Sequence, residues 1–240
     1  MKFLSTDGIV INKRDTGEAD RYLTLFTPRY GKVNLYIKGI RKSKKRDRSA
    51  ADVLSLSKFI FYKKNDNLVV STFDLKDPFL GIRSDMEKIN IAMYLFSVLN
   101  FTLVENQRSS YLYNIFHKTL KYLEESQESS KKYLLICFFL TKIIDEEGIK
   151  FQLNEGKYFD LEKSRFFAER TSSSWEVGED EREILEILVV GGKGKKISVN
   201  KLDKIIRVIN ILEKYINYHL HTNLNFKHFL GEDIKDAKDS

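Results

Sequence analysis

The hydrophobic pattern of this 240-residue chain changes its period near Pro78, and that change limits the folds available to it. Before Pro78, apolar and polar residues alternate, most clearly from Val33 to Lys38, which is the period of a half-buried strand. After it, apolar residues recur every three or four positions, as in amphipathic helices. The sequence therefore predicts an α+β multidomain protein, with a β domain in residues 1–80 and a helical domain in residues 81–240.

The β domain contains five predicted strands joined by short turns. They cover Phe3–Ile11, Tyr22–Thr27, Lys32–Lys38, Leu56–Tyr62 and Leu68–Phe73. Short, closely linked strands of this number are typical of a small antiparallel barrel. An OB-fold fits the strand count and the size of the domain, and an SH3-like barrel is the alternative.

The helical domain is interrupted by residues 149–176, which lack a helical period. Two aromatic runs in this irregular insert, Lys157–Leu161 and Arg165–Phe167, predict a small hairpin. Helices are predicted on both sides, the first beginning near Ser84 and the last running from about residue 199 to 221.

The charge of the chain is concentrated in the β domain. Residues 1–80 hold 17 Lys and Arg against 9 Asp and Glu, whereas the remaining residues hold 24 and 25. The net charge of +7 therefore comes from the N-terminal region. A basic β domain beside a neutral helical domain indicates a protein that binds a polyanion with one end.

Cations and aromatic side chains share one predicted face of this domain. Lys32, Tyr36 and Lys38 alternate along the third strand, and Arg21 and Tyr22 precede them on the second. Cations on an OB-fold follow the phosphates of a single strand, while aromatic rings stack on its bases. A merely solvated strand face is the alternative interpretation.

The loop from Arg41 to Arg48 favours binding, because it holds six cations and one acid beside that face. Such a surface would bind without sequence selectivity and would weaken steeply with salt. The predicted nucleic-acid-binding residues are Arg14, Arg21, Tyr22, Arg29, Lys32, Tyr36, Lys38, Arg41, Lys42, Lys44, Lys45, Arg46 and Arg48.

Catalytic and metal-binding patterns are not found. Cys137 is the single cysteine, and no arrangement of the four histidines suggests a metal site or a nucleophile. The run Gly191–Lys196 lacks the spacing of a phosphate-binding loop and is interpreted as a flexible connector. We predict a protein that is not an enzyme, with no catalytic residue, metal or cofactor.

The expected location is the cytoplasm. The first residues become polar too soon for a signal peptide. No apolar run approaches the roughly 20 residues of a membrane span, so no membrane contact is expected.

Several short blocks resemble the RecO family of bacterial recombination mediators. They are Gly8-Ile9-Val10, Gly17-Glu18-Ala19-Asp20-Arg21, Leu25-Phe26-Thr27, Gly31-Lys32, Lys38-Gly39-Ile40-Arg41-Lys42, Pro78 to Leu95, and Tyr218 to Leu230. The resemblance implies an N-terminal OB-fold, binding of single- and double-stranded DNA, and strand annealing in gap repair. It also implies two partners, RecR and the acidic C-terminal tail of single-strand-binding protein, in loading the recombinase.

One departure from the family concerns the insert. Many RecO proteins carry a four-cysteine zinc module there, and this chain has none of those cysteines. An apolar anchor is expected instead, from Tyr158, Phe159, Leu161, Phe166 and Phe167.

Two other functions stay open. The chain could be chiefly an interaction scaffold whose helical domain captures an acidic, hydrophobic-ended peptide through Lys201, Lys204 and Arg207, although ordinary solvation also explains these three cations. It could also be an RNA-binding OB-fold protein, since the same basic face would serve either nucleic acid.

Overall fold

The structure, a computed structural model, describes residues 2–190 and 202–230. It divides into two compact units. The first holds the chain up to Ala92 together with Phe96–Glu124, and the second holds Met93–Leu95 together with the chain from Glu125. The predicted domain boundary near residue 80 falls inside the first unit and stays a prediction.

Five strands of the first unit close into a barrel. They are β1 (Phe3–Thr16), β2 (Asp20–Thr27), β3 (Gly31–Ile37), β4 (Leu56–Lys64) and β5 (Asn67–Asp77). Their order around the barrel is β1-β2-β3-β5-β4, with β4 paired to β1. All neighbours are antiparallel except β3 and β5, which meet in parallel at Tyr36 and Val69. The predicted OB-fold barrel is confirmed.

Strand alternation builds the barrel interior. Val10, Leu25, Leu35, Phe59 and Phe61 are buried and belong to one apolar cluster. Because successive side chains of a strand point to opposite faces, the residues between them are left on the outer surface. That outer surface carries the candidate site.

Three helices lie wholly or mostly in the first unit: α1 (Leu80–Arg83), α2 (Met86–Thr102) and α3 (Ser110–Glu125). Helix α2 begins two residues later than predicted. Asp85 is its N-cap and accepts a hydrogen bond from the Lys88 backbone N–H, whereas the Ser84 hydroxyl donates to the Gly81 carbonyl. Helix α3 contacts the barrel through Phe116, whose ring centroid lies 5.9 Å from that of Phe26.

The second unit contains three long helices and a small sheet. The helices are α4 (Ser129–Glu146), α5 (Glu179–Val190) and α6 (Leu202–Leu220), and the strands are β6 (Tyr158–Asp160), β7 (Arg165–Phe167) and β8 (Ser174–Glu176). Strands β6 and β7 form the predicted hairpin. Strand β8 was not predicted; it pairs with the other side of β6 and makes a three-stranded sheet.

Aromatic packing anchors this sheet. The ring centroid of Phe159 lies 5.0 Å from Phe166, 5.1 Å from Phe151 and 5.5 Å from Tyr215 of α6. Asp160 is fully buried and accepts hydrogen bonds from the Lys163 backbone N–H and from the Thr171 and Ser173 hydroxyls. The sheet is thus held by tilted and edge-to-face ring contacts and by one buried carboxylate.

Two features are absent from residues 2–190 and 202–230. No group of three or more His, Cys, Asp and Glu side chains is arranged to hold a metal ion. None of the helices in these ranges has the length and apolar content that a membrane crossing requires. The connector predicted at Gly191–Lys196 lies outside the described residues.

Candidate nucleic-acid interface

A polar groove crosses the outer face of the barrel, where β2 and β3 meet the β1–β2 turn and the β4–β5 hairpin. Its volume is about 490 Å³. It is lined by Thr16, Gly17, Asp20, Tyr22, Tyr36, Lys38, Lys64, Asn65, Asn67 and Val69. The same strands and loops form the ligand surface of OB-folds in general, which makes this groove the candidate nucleic-acid interface.

A pair of tyrosines forms the centre of the groove. Tyr22 and Tyr36 are direct partners across β2 and β3, and their ring centroids lie 5.1 Å apart. Arg14 is the partner of Tyr22 on β1, and its guanidinium carbon lies 5.4 Å from the Tyr22 ring centroid. Rings held side by side on a strand surface offer flat faces to a nucleobase.

Asp20 fixes the orientation of Tyr36. The tyrosine hydroxyl donates a hydrogen bond to the Asp20 carboxylate, whose other oxygen accepts from the Gly39 backbone N–H at 2.6 Å. The hydrogen bond from Tyr36 lowers the pKa of Asp20, and the same bond raises the pKa of Tyr36. The carboxylate therefore stays ionised and the phenol protonated, and the ring is held in place for stacking.

Lys38 and Lys64 supply positive charge to the groove. Both side chains are exposed. In the part of the chain that the structure describes, neither has a carboxylate within the 4.0 Å of an ion pair. Their ammonium groups are thus available to phosphates.

The Arg41–Arg48 loop combines paired and unpaired cations. Arg41 lies 3.3 Å from a carboxylate oxygen of Asp15, and Lys42 lies 2.6 Å from one of Glu18. Both ion pairs are on the surface, where an ion pair contributes little to the stability of the fold and its cation readily exchanges one anionic partner for another.

Two arginines of the same loop hold its backbone instead. Arg46 donates to the Lys38 carbonyl at 2.6 Å, and Arg48 donates to the Arg41 carbonyl at 3.4 Å. Lys44 and Lys45 are exposed and, among the described residues, form no ion pair. These two lysines are the part of the loop best able to reach a phosphate.

Two predicted contacts have internal partners. The Lys32 ammonium is buried and donates to the Asn100 carbonyl at 2.8 Å. The Arg21 guanidinium donates to Asp15 at 2.7 Å and to the Ala51 carbonyl at 3.3 Å. Alternation assigned Lys32 to an open face, but the end of a neighbouring helix covers it. Arg21 is the register partner of the buried Ile37, so it lies on the opposite face of β2 from Tyr22. We therefore leave both out of the proposed surface.

Arg29 lies outside the groove. It lines a separate polar pocket of about 410 Å³ with Lys58 and Lys76. A carboxylate is already present there, since Lys76 lies 2.6 Å from Asp7. The contribution of Arg29 to DNA binding stays a prediction, as it does for the groove and loop residues.

Sequence reasoning missed the β4–β5 hairpin as part of this site. Lys64, Asn65 and Asn67 line the groove although they follow Tyr36 by about 30 residues. The Lys63-Lys64 pair in a hairpin loop was the available signal. The sequence does not show that β5 contacts β3 in parallel, and this contact brings the hairpin to the face of the groove.

The second unit has a groove of its own. Its volume is about 220 Å³, and Trp175, Val177 and Ile211 line it together with Arg207 and Lys214. The Lys214 ammonium lies 4.8 Å from the Trp175 ring centroid. The carboxylates of Glu176 and Glu181 line it as well. The apolar side chains and the two cations of this lining have the character of a site for an acidic, hydrophobic-ended peptide.

The predicted partner-binding cations are only partly at this groove. Arg207 lines it and lies 3.4 Å from the buried carboxylate of Glu181. Lys204 lies 3.8 Å from the same carboxylate and 3.5 Å from Asp203. Lys201 lies outside the described residues.

Comparison with known proteins supports the resemblance of the N-terminal region to the RecO family. Residues 1–79 match the family model described as "Recombination protein O N terminal". A protein named DNA repair protein RecO from Acetivibrio thermocellus is 34% identical over 129 residues, which cover 54% of this chain and 51% of the relative. Its namesake from Alkaliphilus metalliredigens is 29% identical over 147 residues, covering 61% and 59%.

A third relative of the same name, from Halalkalibacterium halodurans, is 25% identical over 153 residues, covering 64% of this chain and 59% of the relative. The chain thus spans about half to three fifths of the length of these curated relatives.

Proposed function

We propose that this chain is a RecO-family protein and acts as a non-enzymatic, DNA-binding mediator in the repair of gapped DNA. In this role it binds single- and double-stranded DNA, anneals complementary strands, and helps to load the recombinase together with RecR. Its substrate would place it in the cytoplasm of a bacterial cell. No step of the role requires a catalytic residue, a metal or a cofactor.

The observation that supports DNA binding most directly is the groove of the barrel. It combines two contacting tyrosine rings with Lys38 and Lys64, which form no ion pair among the described residues. Aromatic rings stack on any base, and cations neutralise phosphates without reading sequence. The combination fits a single strand bound without sequence selectivity.

Annealing follows from the same charges. Two complementary strands repel each other through their phosphates, and a protein that neutralises part of this charge lets them approach. Lys44 and Lys45, exposed beside the groove's strands, extend the positive surface beyond the bound strand. The protein's contribution is then electrostatic, and annealing needs no chemical reaction.

A variant with four neutralised lysines tests this proposal. We would replace Lys38, Lys44, Lys45 and Lys64 with glutamine and measure affinity for single-stranded DNA across a salt series. Each phosphate contact contributes about 0.7 to the slope of log affinity against log salt, so the slope should fall by up to about 3. The matched control replaces Lys131, Lys142, Lys150 and Lys157 of the second unit, which changes net charge equally. An unchanged slope in the first variant, or equal losses in both, would contradict the proposal.

The groove of the second unit favours an additional, compatible function as a protein scaffold. We propose that it binds the acidic C-terminal tail of single-strand-binding protein, whose carboxylates would meet Arg207 and Lys214 while its apolar end packs on Trp175 and Ile211. The fluorescence of Trp175, the single tryptophan of the chain, would report a titration with the tail peptide. The variant Lys214→Glu should weaken binding, whereas an unchanged dissociation constant would contradict this site.

The RNA-binding alternative is tested by competition. The groove offers stacking and charge, which either nucleic acid can use. Displacement of bound single-stranded DNA by RNA of equal length and sequence, at equal concentration, would favour the RNA-binding function over the mediator.

A further inference from the structure

Outward-facing side chains form a continuous row across all five strands of the barrel. The pairing register joins Arg14 to Tyr22 and Tyr22 to Tyr36. It continues from Tyr36 to Val69 of β5, which lines the groove. The row then extends beyond the groove.

Beyond Val69 the row reaches a second aromatic pair. Val69 is the register partner of Tyr62 on β4, and Tyr62 is the partner of Phe3 on β1. The rings of Phe3 and Tyr62 meet edge to face with centroids 5.6 Å apart. Phe3 is 55% exposed although it is apolar. The pair thus leaves ring surface open to solvent.

The second pair is close to the groove. Adjacent strands are about 4.8 Å apart, so Tyr36 and Tyr62 are separated by two strand spacings, or about 10 Å. Stacked nucleotides rise about 3.4 Å each, and this separation corresponds to about three nucleotides. One strand of DNA could therefore contact both pairs within the site size of a single OB-fold.

Positive charge accompanies the second pair. Lys64 lines the groove and lies two residues after Tyr62, on the same face of β4. Lys2 and Lys63 are exposed next to Phe3 and Tyr62 in the sequence. Within residues 2–190 and 202–230, no carboxylate forms an ion pair with Lys2, Lys63 or Lys64.

We propose that Phe3 and Tyr62 form a second base-stacking site, which extends the path of a single DNA strand from the groove around the barrel to β1. This inference rests on the proposed function. Continuity with the groove and the unpaired lysines favour a nucleic acid over a protein as the occupant, because a protein docking surface of this size would not require a row of cations. The strand would cross β2, β3, β5 and β4 in turn.

The test compares oligothymidines of two lengths. A strand of about 2 nucleotides can occupy the groove but is too short to span the separation of about three nucleotides between the pairs, whereas one of about 12 can reach both aromatic pairs. The variant Phe3→Leu/Tyr62→Leu keeps apolar side chains but removes both rings. It should bind the longer strand about 5-fold or more weakly, the loss expected for one stacked base, and bind the shorter strand unchanged. Phe101→Leu is the matched control, since Phe101 of α2 is also 55% exposed.

Fluorescence gives an independent measurement. In a chain carrying Trp175→Phe and Tyr62→Trp, the introduced tryptophan should be quenched by the longer strand and not by the shorter one. Thermal unfolding of every variant checks that the barrel remains folded.

The outcomes separate this inference from the proposed function. If Tyr36→Leu weakens both strands while Phe3→Leu/Tyr62→Leu weakens neither, the second site is overturned and the groove stands. If none of these variants changes DNA affinity, the proposed function itself fails. Unchanged DNA affinity together with lost binding of RecR in the Phe3→Leu/Tyr62→Leu variant would assign the pair to a protein interface and overturn the inference.

Discussion

The Lys32 ammonium donates a hydrogen bond to the Asn100 carbonyl at 2.8 Å, which joins strand β3 to the last turn of helix α2. A cation at the C-terminal end of a helix is also stabilised by the helix dipole. The neighbouring backbone reinforces the join, because the Asn106 N–H donates to the Lys32 carbonyl at 2.9 Å. Asn34 on the same strand donates to Glu105 at 2.6 Å. The α2–α3 loop thus closes the part of the β3 edge that β5 does not pair with.

This relationship predicts opposite effects for two lysines close together in the chain. Lys32→Met should lower the free energy of unfolding by about 1–3 kcal/mol, because the Asn100 carbonyl loses a buried charged donor. Single-stranded DNA affinity of the folded variant should be unchanged. Lys38→Met should leave stability within about 0.5 kcal/mol and lower the salt slope of DNA binding by about 0.7.

Denaturant unfolding and DNA titration on both variants provide the check. The reverse assignment, in which Lys32→Met alters the salt slope and Lys38→Met alters stability, would contradict the packing described above.

Gly31 predicts a larger cost at the same edge. Its φ is +65°, and a Cβ added there would lie 1.9 Å from the Gln107 carbonyl oxygen of the α2–α3 loop. Gly31→Ala should therefore destabilise the protein by about 2 kcal/mol or more, from backbone strain together with the displaced loop.

Gly17 offers a matched control for strain alone. Its φ is +54°, and a Cβ there would meet no atom within 4 Å. Gly17→Ala should cost only about 1–2 kcal/mol, as expected for a left-handed residue. Equal losses for the two alanine variants in chemical denaturation would show that the loop does not pack on β3.

The comparison of Lys32 with Lys38 shows how far the sequence could predict this site. Alternation along β3 correctly identified the buried residues Val33, Leu35 and Ile37. It says which face of a strand a side chain takes, but not whether another segment covers that face. Lys32 is covered by a helix end about 70 residues later in the chain, and nothing local to the strand indicates this.

The aromatic rows show the same limit. Tyr22 and Tyr36 lie on consecutive strands, so their proximity follows from a hairpin and could be predicted. The proximity of Lys64 and Tyr62 to these two tyrosines depends on the order of strands around the barrel, in which β5 lies between β3 and β4. The hydrophobic pattern predicts strands but does not determine their order.

Acid should destabilise the first unit through its paired carboxylates. The hydrogen bond from Arg21 lowers the pKa of Asp15 below its ordinary 3.8, and the bond from Tyr36 does the same for Asp20. A folded-state pKa below the unfolded value means that the folded protein binds fewer protons, so this stabilisation is present above pH 3.8 and is lost as the pH falls through the folded-state values.

Thermal unfolding between about pH 6 and pH 3 tests this expectation. Asp15→Asn should lower the melting temperature at pH 6 and show a shallower decline in acid than the parent chain. Asp66→Asn, in the exposed β4–β5 loop, is the control and should follow the parent. Identical curves for parent and Asp15→Asn would contradict the role of the Arg21 hydrogen bond.

Glu213 predicts the opposite pH dependence in the second unit. It is buried on α6, and its carboxylate accepts hydrogen bonds from the Tyr94 hydroxyl at 2.9 Å and from the Phe226 backbone N–H at 2.5 Å. Burial raises its pKa above the ordinary 4.5, since the charged form loses solvation. The folded protein therefore binds more protons here than the unfolded chain, and stability that is full below pH 4.5 is lost as the pH rises through the folded-state value.

Glu213→Gln removes this loss, because an amide oxygen accepts the same two hydrogen bonds without carrying charge. The unfolding free energy of the variant relative to the parent chain should increase between about pH 4 and pH 8. A fixed cost of fitting the amide cancels, since only the change between the two pH values is compared. Denaturant titrations of both proteins at the two pH values measure it, and a difference that stays constant would mean that the buried carboxylate is not penalised for its charge.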